Sequence, residues 1–210
     1  MPTLFSLRNV NFKDIVSYPD IEIEDGPATF ICGESGSGKS TLLKLLNGVV
    51  SADSGEILYS GKRIEDYDQV ELRREVLLCG QAVYLFDGSI KDNFEQYHKY
   101  RDSTIAPAAM ESYLKICVAD FPLDTACVTM SGGERQRVFT AICLSFRPRV
   151  ILLDEPTSAL DDATAYTLMT NLKAYCRENG MTLIIVSHNK AIADAFGDCV
   201  ITLEWGGGRE

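Results

Sequence analysis

The sequence predicts an α/β fold with a mostly parallel sheet, an N-terminal antiparallel β subdomain and an inserted α-helical subdomain. Two strongly apolar runs, in RVILLDEP (149–156) and MTLIIVSHN (181–189), are typical of parallel strands that helices cover on both faces. Near the N-terminus, LFSLRNVNF (4–12) and DIEIEDG (20–26) alternate apolar with polar residues, as half-buried strands do. Residues 89–146 have a helical pattern and are interpreted as an insertion into this α/β core.

The first strand-to-helix connection follows the second of these N-terminal strands. PATFIC (27–32) is an apolar strand that runs directly into Gly33, and STLLKLLNGVV (40–50) is predicted to be a helix. Asn47-Gly48 ends this helix, because glycine readily takes the left-handed conformation found after helix C-termini. The helix is expected to bury one stripe formed by Leu42, Leu43, Leu45 and Leu46.

Short strands are expected near residues 55–65 and 75–79, and a long helix over 163–180 that ends at Gly180. One face of that helix is apolar and predicted to be buried; it comprises Ala165, Leu168, Met169, Leu172, Tyr175 and Cys176. We interpret the whole chain, 1–210, as one domain, with residues 1–88 and 147–210 forming the core and residues 89–146 the helical subdomain.

Composition limits the classes of partner. The chain has 210 residues, 46% of them hydrophobic, which is enough to bury the core of one domain. The formal net charge of −10 disfavours nucleic acid as a partner, because phosphate-backbone binders usually present a basic face. No apolar run approaches the length of a membrane span, and MPTLFSLRNV lacks the layout of a secretory signal.

The cysteines indicate the compartment. Seven of them are widely spaced without a CxxC pair, and an odd number of such residues, several in apolar runs, indicates reduced core positions rather than disulfides or a zinc site. We therefore expect a cytoplasmic protein.

GESGSGKST (33–41) matches the pattern G-x-x-x-x-G-K-[ST] between a predicted strand and a predicted helix, the context that a P-loop requires. Lys39 is predicted to reach the outer phosphates of a nucleotide, and Ser40 to give its hydroxyl to magnesium. The fold class is therefore a P-loop NTPase core. The predicted nucleotide contacts are Gly33, Glu34, Ser35, Gly36, Ser37, Gly38, Lys39, Ser40 and Thr41.

Polar residues at other strand ends complete the predicted catalytic site. Asp154 ends a buried strand and is predicted to hold magnesium through water, while Glu155 is placed to orient and deprotonate an attacking water. Gln81 follows the strand near 75–79 and is predicted to reach the metal or the water. His188 ends another strand and is predicted to hydrogen-bond the γ-phosphate. Taken singly, the acidic pair fits a solvated loop start about as well, Gln81 is an ordinary loop residue, and His188 is more typical of a structural cap.

TMSGGERQR (129–137) predicts a second helix N-terminus suited to an anion. Ser131 can cap the helix, and Gly132 and Gly133 leave its first turn bare, so its N–H groups can approach a charged group. The pattern by itself also fits an ordinary serine-capped helix. A separate phosphate cradle at 33–41 raises the question of what this second terminus binds.

Together these motifs resemble the ABC-type ATPases, and the resemblance covers nearly the whole chain, from LRNVNF to VITLEW. GESGSGKST is similar to the Walker A loop, ILLDE to the Walker B strand, and MSGGE to the signature motif. Gln81 corresponds to the Q-loop, SALD to the D-loop and His188 to the switch histidine. The resemblance implies ATP and Mg²⁺ as ligands, and a head-to-tail dimer in which Ser131, Gly132 and Gly133 contact the ATP of the partner subunit. Because the chain has one set of motifs, the partner is a second copy or a similar chain, and we expect a homodimer.

The sequence departs from this family at the adenine contact. Asp14 stands where an aromatic residue is common in the family, so Phe12 or Tyr18 is expected to stack on the base, and Phe12 is the residue we assign. SHNKAI has Ile192 where a guanine-specific N-K-x-D motif needs its acid, which favours ATP.

The resemblance implies a function as the ATP-hydrolysing motor of an ABC transporter, on the inner face of the cell membrane beside a separate integral membrane permease. QAVYLFDGSIKDN (81–93) is similar to the coupling region of exporters, and we expect Leu85 and Phe86 to be surface-exposed and to receive the permease. One alternative is a soluble ABC ATPase of DNA repair or translation, which would be expected to show a basic surface or a second motif set. A small-molecule P-loop kinase is the other, and it would leave MSGGE unexplained.

Overall fold

The computed structural model describes residues 2–13 and 15–204, and its elements alternate between strands and helices along the chain. In chain order they are β1 (Thr3–Phe12), β2 (Val16–Ser17), β3 (Ile21–Glu24), β4 (Thr29–Gly33), α1 (Lys39–Leu46), β5 (Ser54–Tyr59), β6 (Lys62–Arg63), α2 (Gln69–Glu75), β7 (Val76–Cys79), α3 (Ile90–Lys99), α4 (Pro107–Ile116), α5 (Gly132–Ser145), β8 (Val150–Asp154), α6 (Asp162–Glu178), β9 (Thr182–Val186), α7 (Lys190–Phe196) and β10 (Cys199–Leu203).

Five strands form an antiparallel sheet at the N-terminal side, as predicted. Its order is β2-β1-β5-β6, and β3 also pairs with β1. Leu7 lies opposite Ile57 of β5 and Ile21 of β3 in the registers, and all three are buried, so one face of the sheet is apolar. This face packs with the leucine stripe of α1 in one core cluster.

The second sheet is entirely parallel, with the order β10-β4-β9-β8-β7. Every residue of β8 and β9 is buried, as their apolar runs predicted. Helices cover one face of this sheet, but the other face packs on α1 together with the antiparallel sheet, so the expectation that helices alone cover both faces was only partly right. The helices α5 and α6 share a second core cluster with the opposite face of this sheet. Since parallel strands end at a common edge, the residues after β4, β8 and β9 meet there.

Several elements differ from expectation. Helix α2 lies just before β7, in a stretch for which only short strands were predicted, and α7 and β10 after the last predicted strand were also not anticipated. Leu85 is 5% exposed and belongs to the core, so the expectation that it is a surface residue was wrong, whereas Phe86 is half-buried. Cys199 is exposed, unlike the predicted core cysteines.

Helices α3, α4 and α5 lie within the segment predicted as the helical subdomain. The boundaries of that subdomain stay a prediction. Over the ranges 2–13 and 15–204, the structure contains no helix with an apolar stretch of membrane-spanning length.

Candidate active site

The loop between β4 and α1 depends on glycine at two of its positions. Gly33 and Gly38 have φ angles of 149° and 89°, conformations that residues with a Cβ rarely adopt. A Cβ on Gly33 would lie 2.3 Å from the carbonyl oxygen of Leu203 on β10. Glycine is therefore required at this position both by its φ angle and by the closeness of the neighbouring strand.

Lys39 extends into the loop that precedes it. Its ammonium is largely buried and donates to the main-chain carbonyls of Gly33 and Glu34, at 2.9 and 2.6 Å. Ser37 Oγ is also buried there and has no hydrogen-bond partner among the residues that the structure describes. With the bare N–H groups of the first turn of α1, this makes a cradle that fits the phosphates of a nucleotide.

Ser40 and Asp154 form a pair of oxygen ligands beside this cradle. Ser40 Oγ donates to Asp154 Oδ1 at 3.0 Å, which joins the first turn of α1 to the end of β8. Burial raises the pKa of the Asp154 carboxyl, and the Ser40 hydroxyl partly offsets that rise. A hydroxyl and a carboxylate of this kind are the hard oxygen donors that Mg²⁺ prefers, so the residues present fit that ion.

Glu155 and His188 face each other across the ends of two neighbouring strands. Asp154 pairs with Val186 in the register of β8 and β9, so the residues that follow these strands are adjacent. His188 Nδ1 lies 3.3 Å from Glu155 Oε2. Glu155 has a φ of 52°, an unusual conformation for a residue with a side chain, and its N–H donates to the Val186 carbonyl at 3.0 Å.

These groups line one cavity of about 590 Å³. Gln81, two residues after β7, joins Glu155 and His188 on its wall. The hairpin between β1 and β2 supplies the apolar side of the cavity. This apolar side was not predicted from the sequence. The lining comprises Ile15, Val16, Ser35, Gly36, Gly38, Lys39, Ser40, Thr41, Gln81, Glu155 and His188.

The two aromatic residues expected to stack on a base lie elsewhere. Phe12 packs half-buried against the core cluster of the antiparallel sheet and does not line the cavity. Tyr18 is 5% exposed, and its hydroxyl donates to the Gly38 carbonyl at 2.8 Å. Asp14, the family position of the aromatic residue, lies outside the described residues.

The family model described as ABC transporter matches residues 17–158, which is more than half of the chain. This chain is an ATP-binding domain of the ABC transporter family. Its ATP-binding and ATP-hydrolysing activities follow from that membership, and so does its role in transporters.

Relatives and solved structures agree with this ABC assignment. "Probable iron export ATP-binding protein FetA" of Escherichia coli (strain K12) is 32% identical over 96% of this chain and 91% of its own length. "Energy-coupling factor transporter ATP-binding protein EcfA2" of Ligilactobacillus salivarius (strain UCC118) is 31% identical over 95% of this chain and 71% of its own length. Both matches extend over most of each protein.

Two solved structures share the fold. One is a bacterial Atm1-family ABC exporter with ATP bound, with a TM-score of 0.86 and 28% identity; the match covers 99% of this chain and 38% of that one. The other is cbiO1 from Clostridium perfringens, part of the ABC transporter complex cbiONQ, with a TM-score of 0.83 and 26% identity. That match covers 99% of this chain and 89% of that one.

The ABC signature motif does not line the cavity of its own chain. Ser131 caps α5 in a reciprocal capping box, since its Oγ accepts from the Glu134 N–H at 3.4 Å while its own N–H donates to Glu134 Oε2 at 2.8 Å. Gly132 is exposed, and a Cβ there would meet nothing within 4 Å. A Cβ on Gly133 would instead lie 3.2 Å from the Cβ of Ala159 in the D-loop.

Proposed function

We propose that this ABC domain is the motor subunit of a transporter, in which two copies associate head to tail around two ATP molecules and drive a separate membrane permease. The observation that carries the proposal is the pairing of Glu155 with His188, 3.3 Å apart, at a cavity that also contains Lys39. A carboxylate, an imidazole and an ammonium there are the groups that ATP hydrolysis needs.

Each residue has a distinct part in the proposed reaction. Lys39 exchanges the carbonyls of Gly33 and Glu34 for the β- and γ-phosphate oxygens, which are stronger partners for an ammonium group. Glu155 accepts the proton of the attacking water, and His188, whose Nδ1 lies 3.3 Å from Glu155 Oε2, donates its N–H to the γ-phosphate. Mg²⁺, held through Ser40, Asp154 and Gln81, would neutralise phosphate charge.

The exposed signature helix supports the dimer. At the N-terminus of α5, which has fourteen residues, Ser131 and Gly132 are exposed and Gly133 is half-buried, yet none of the three lines the nucleotide cavity of its own subunit. We propose that they contact the γ-phosphate of ATP held by a second copy. Bound ATP then joins the subunits, and its hydrolysis releases them.

A groove of about 400 Å³ between the core and helices α3 and α5 supports a permease partner. The groove is basic, although the net charge of the chain is −10, because it is lined by Arg73, Arg74 and Arg101. The exposed ring of Tyr100 lies beside these arginines. The ring of Phe86, the predicted docking residue, is tilted against the ring of Tyr100, with their centroids 6.0 Å apart. We propose that the groove receives a cytoplasmic helix of the permease with an apolar face and acidic residues.

Export is the direction we propose, with the subunit on the inner face of the membrane. The support is the relative named for iron export and the similarity to the exporter with ATP bound. The relative named for energy-coupling factor transport and cbiO1 also support a separate membrane partner.

Size-exclusion chromatography of the Glu155→Gln variant with Mg-ATP tests the motor and the dimer together. The amide keeps the size of the carboxylate but cannot accept a proton, so ATP affinity should persist while turnover is lost and an ATP-bound dimer accumulates. Wild-type turnover in the variant would remove Glu155 from the role of base. A monomer at saturating ATP would contradict the dimer.

A further inference from the structure

Two buried cysteine thiols lie against each other where β7 packs on α5. Cys79 is the last residue of β7, two positions before Gln81, and Cys143 lies near the C-terminal end of α5. Cys79 Sγ is 3.5 Å from the hydroxyl oxygen of Thr140, which lies one turn before Cys143 on the same helix. The two cysteines are 3% and 4% exposed and belong to one core cluster. The pair therefore joins the strand that leads to the Q-loop to the signature helix.

The two thiols interact with each other as donor and acceptor. A hydrogen bond between them is the main cause that lowers the pKa of Cys79; burial opposes this shift, and the Thr140 hydroxyl adds to it. The same hydrogen bond, together with burial, holds the pKa of Cys143 well above its ordinary value. When the pair loses one proton, the negative charge therefore lies on Cys79, and Cys143 donates to it. A thiolate is the form of cysteine that reacts with oxidants.

One of the two thiols borders the groove of about 400 Å³ that lies beside α3 and α5. Cys143 is part of the lining of this groove, whereas Cys79 is not. The guanidinium of Arg101 lines the same groove, and its charge favours a thiolate at Cys143. A small neutral oxidant can therefore reach the pair from the Cys143 side. The permease proposed to occupy the groove would cover this entrance, so the free subunit is the form that reacts.

Other cysteines of the core differ from this pair. Burial raises the pKa of the Cys117 thiol well above its ordinary value and that of Cys176 to about 12, so both thiols stay protonated. Cys199 is exposed, but it lies on β10, at the opposite edge of the parallel sheet from β7. The chemistry of a reactive thiol pair is thus concentrated at Cys79 and Cys143.

We propose that Cys79 and Cys143 form a redox site, at which a hydroperoxide produces a reversible disulfide that stops ATP turnover. The proton that the two thiols share moves to Cys79, and the Cys143 thiolate attacks one oxygen of hydrogen peroxide. The O–O bond breaks, hydroxide leaves, and Cys143 becomes a sulfenic acid. Hydroxide takes the proton from Cys79, whose sulfur attacks the Cys143 sulfur and expels a second hydroxide. The two sulfurs lose two electrons, and the peroxide becomes one water and one hydroxide.

The disulfide would act on two of the proposed catalytic elements. A sulfur–sulfur bond of about 2.05 Å is shorter than the contact distance of two thiols, so the end of β7 and α5 must approach each other. Gln81 follows this end of β7, and the Thr140 hydroxyl donates to the carbonyl of Gln136 at 2.8 Å on α5. The P-loop lies outside these two elements, so ATP should still bind. The effect on turnover rests on the proposed function, whereas formation of the disulfide does not.

Peptide mapping of the free subunit after treatment with hydrogen peroxide tests the inference. Under non-reducing conditions, one linked pair of peptides should contain Cys79 and Cys143, and two of the seven thiols should be lost. Dithiothreitol should restore both thiols. Oxidation should lower kcat for ATP by at least about tenfold, reversibly, and leave the dissociation constant of ATP within about threefold of its value in the reduced protein.

Two variants isolate the pair. Cys143→Ala removes one sulfur from the site, so its turnover should resist peroxide. Cys199→Ala removes the exposed thiol instead, and peroxide should inactivate this control like the wild type. Mapping of the wild type identifies the linked residues directly, so the test stays decisive even if Cys143→Ala fails to fold.

The inference is overturned if peroxide leaves Cys79 and Cys143 as thiols, if it links Cys79 to Cys117, or if oxidation stops at acids that dithiothreitol does not reduce. Full turnover of protein that carries the Cys79–Cys143 bond would also overturn it. Failure of the proposed function has a different signature, since the reduced protein would then lack ATPase activity before any peroxide is added.

Discussion

The side-chain amide of Gln136 donates a hydrogen bond to the main-chain carbonyl of Glu155, with a nitrogen-to-oxygen distance of 3.3 Å. Gln136 lies one turn into the signature helix α5, and Glu155 is the proposed base at the end of β8. Because the backbone of Glu155 is in the left-handed region, its orientation depends on such outside contacts. The helix that is proposed to sense the partner's ATP is thereby connected to the residue proposed as the base.

Gln136→Leu should therefore lower turnover without weakening the binding of ATP. The leucine keeps the volume of the side chain but leaves the Glu155 carbonyl without its donor, so the carboxylate is held less well. We expect kcat to fall by about three- to tenfold with little change in KM, measured by steady-state ATPase assay. Gln96→Leu on α3 is the matched control. A KM effect alone would show that Gln136 acts on binding instead.

Lys39→Ala should lose nucleotide binding itself. Charge-assisted hydrogen bonds to phosphates are worth about 1.5–3 kcal/mol, so ATP affinity should fall by roughly ten- to a hundredfold. Calorimetry in the absence of turnover measures this directly. Unchanged affinity would mean that Lys39 stays on the Gly33 and Glu34 carbonyls with ATP bound.

Asp154→Asn separates metal binding from folding. Burial raises the pKa of Asp154, which means that the fold disfavours its charged form. At neutral pH in a chelator, the uncharged variant should have the same thermal midpoint as the wild type or a higher one. The stabilisation that Mg-ATP adds should nevertheless decline, because the carboxylate oxygen is lost. A lower midpoint without metal would contradict this account of Asp154.

The raised pKa of Asp154 also predicts how the affinity for magnesium depends on pH. A proton competes with the metal for this carboxylate, and the competition begins at a higher pH than at an exposed aspartate. Affinity for Mg²⁺, measured by calorimetry with ATP present, should accordingly decline as the pH falls through the raised pKa. An affinity that declines only near the ordinary aspartate pKa would show that Asp154 is not a ligand.

Arg74→Glu tests the proposed permease groove. Arg74 is exposed, and its ion pair with Glu71 at 3.3 Å is a surface contact of about 1 kcal/mol or less, so the fold should tolerate the change. Reversal of charge should abolish copurification with the permease and leave the ATPase rate of the free subunit unchanged. Arg63→Glu, on the antiparallel sheet, is the control and should copurify normally. Equal recovery of both variants would remove the groove as the docking site.

Local constraints explain which parts of the fold and site the sequence could predict. The P-loop was predictable because its glycines take backbone conformations that other residues rarely adopt, all within nine residues. Asp154 and Glu155 were predictable because Asp154 ends a buried strand and Glu155 follows it directly. Helix α2 was missed since it is seven residues long and buries only Leu72, although Asp68, which accepts from the N–H groups of Val70 and Glu71, was an available N-cap signal.

The residues whose environment was predicted wrongly are those whose environment depends on long-range packing. No local pattern sets Leu85 apart from its neighbours in the sequence. It is buried because it packs in the core cluster that the helices form with β7. Ile15 is a single loop residue in the sequence, and it lines the cavity only because its hairpin lies beside the P-loop. No local pattern records such contacts between distant segments.

The composite site is the central claim, and the ATPase rate of a mixed dimer tests it most directly. One chain carries Lys39→Ala and the other Gly132→Asp. Gly132 is preferred to Gly133 because a side chain there enters open space in its own subunit, so the added charge acts only on a partner. Each homodimer should be inactive. A linked dimer with a single Gly132→Asp change first establishes that one intact site suffices for turnover. The purified heterodimer should then hydrolyse ATP, since one of its sites joins an intact Walker A loop to an intact signature. An inactive heterodimer, alongside an active linked dimer, would contradict the claim.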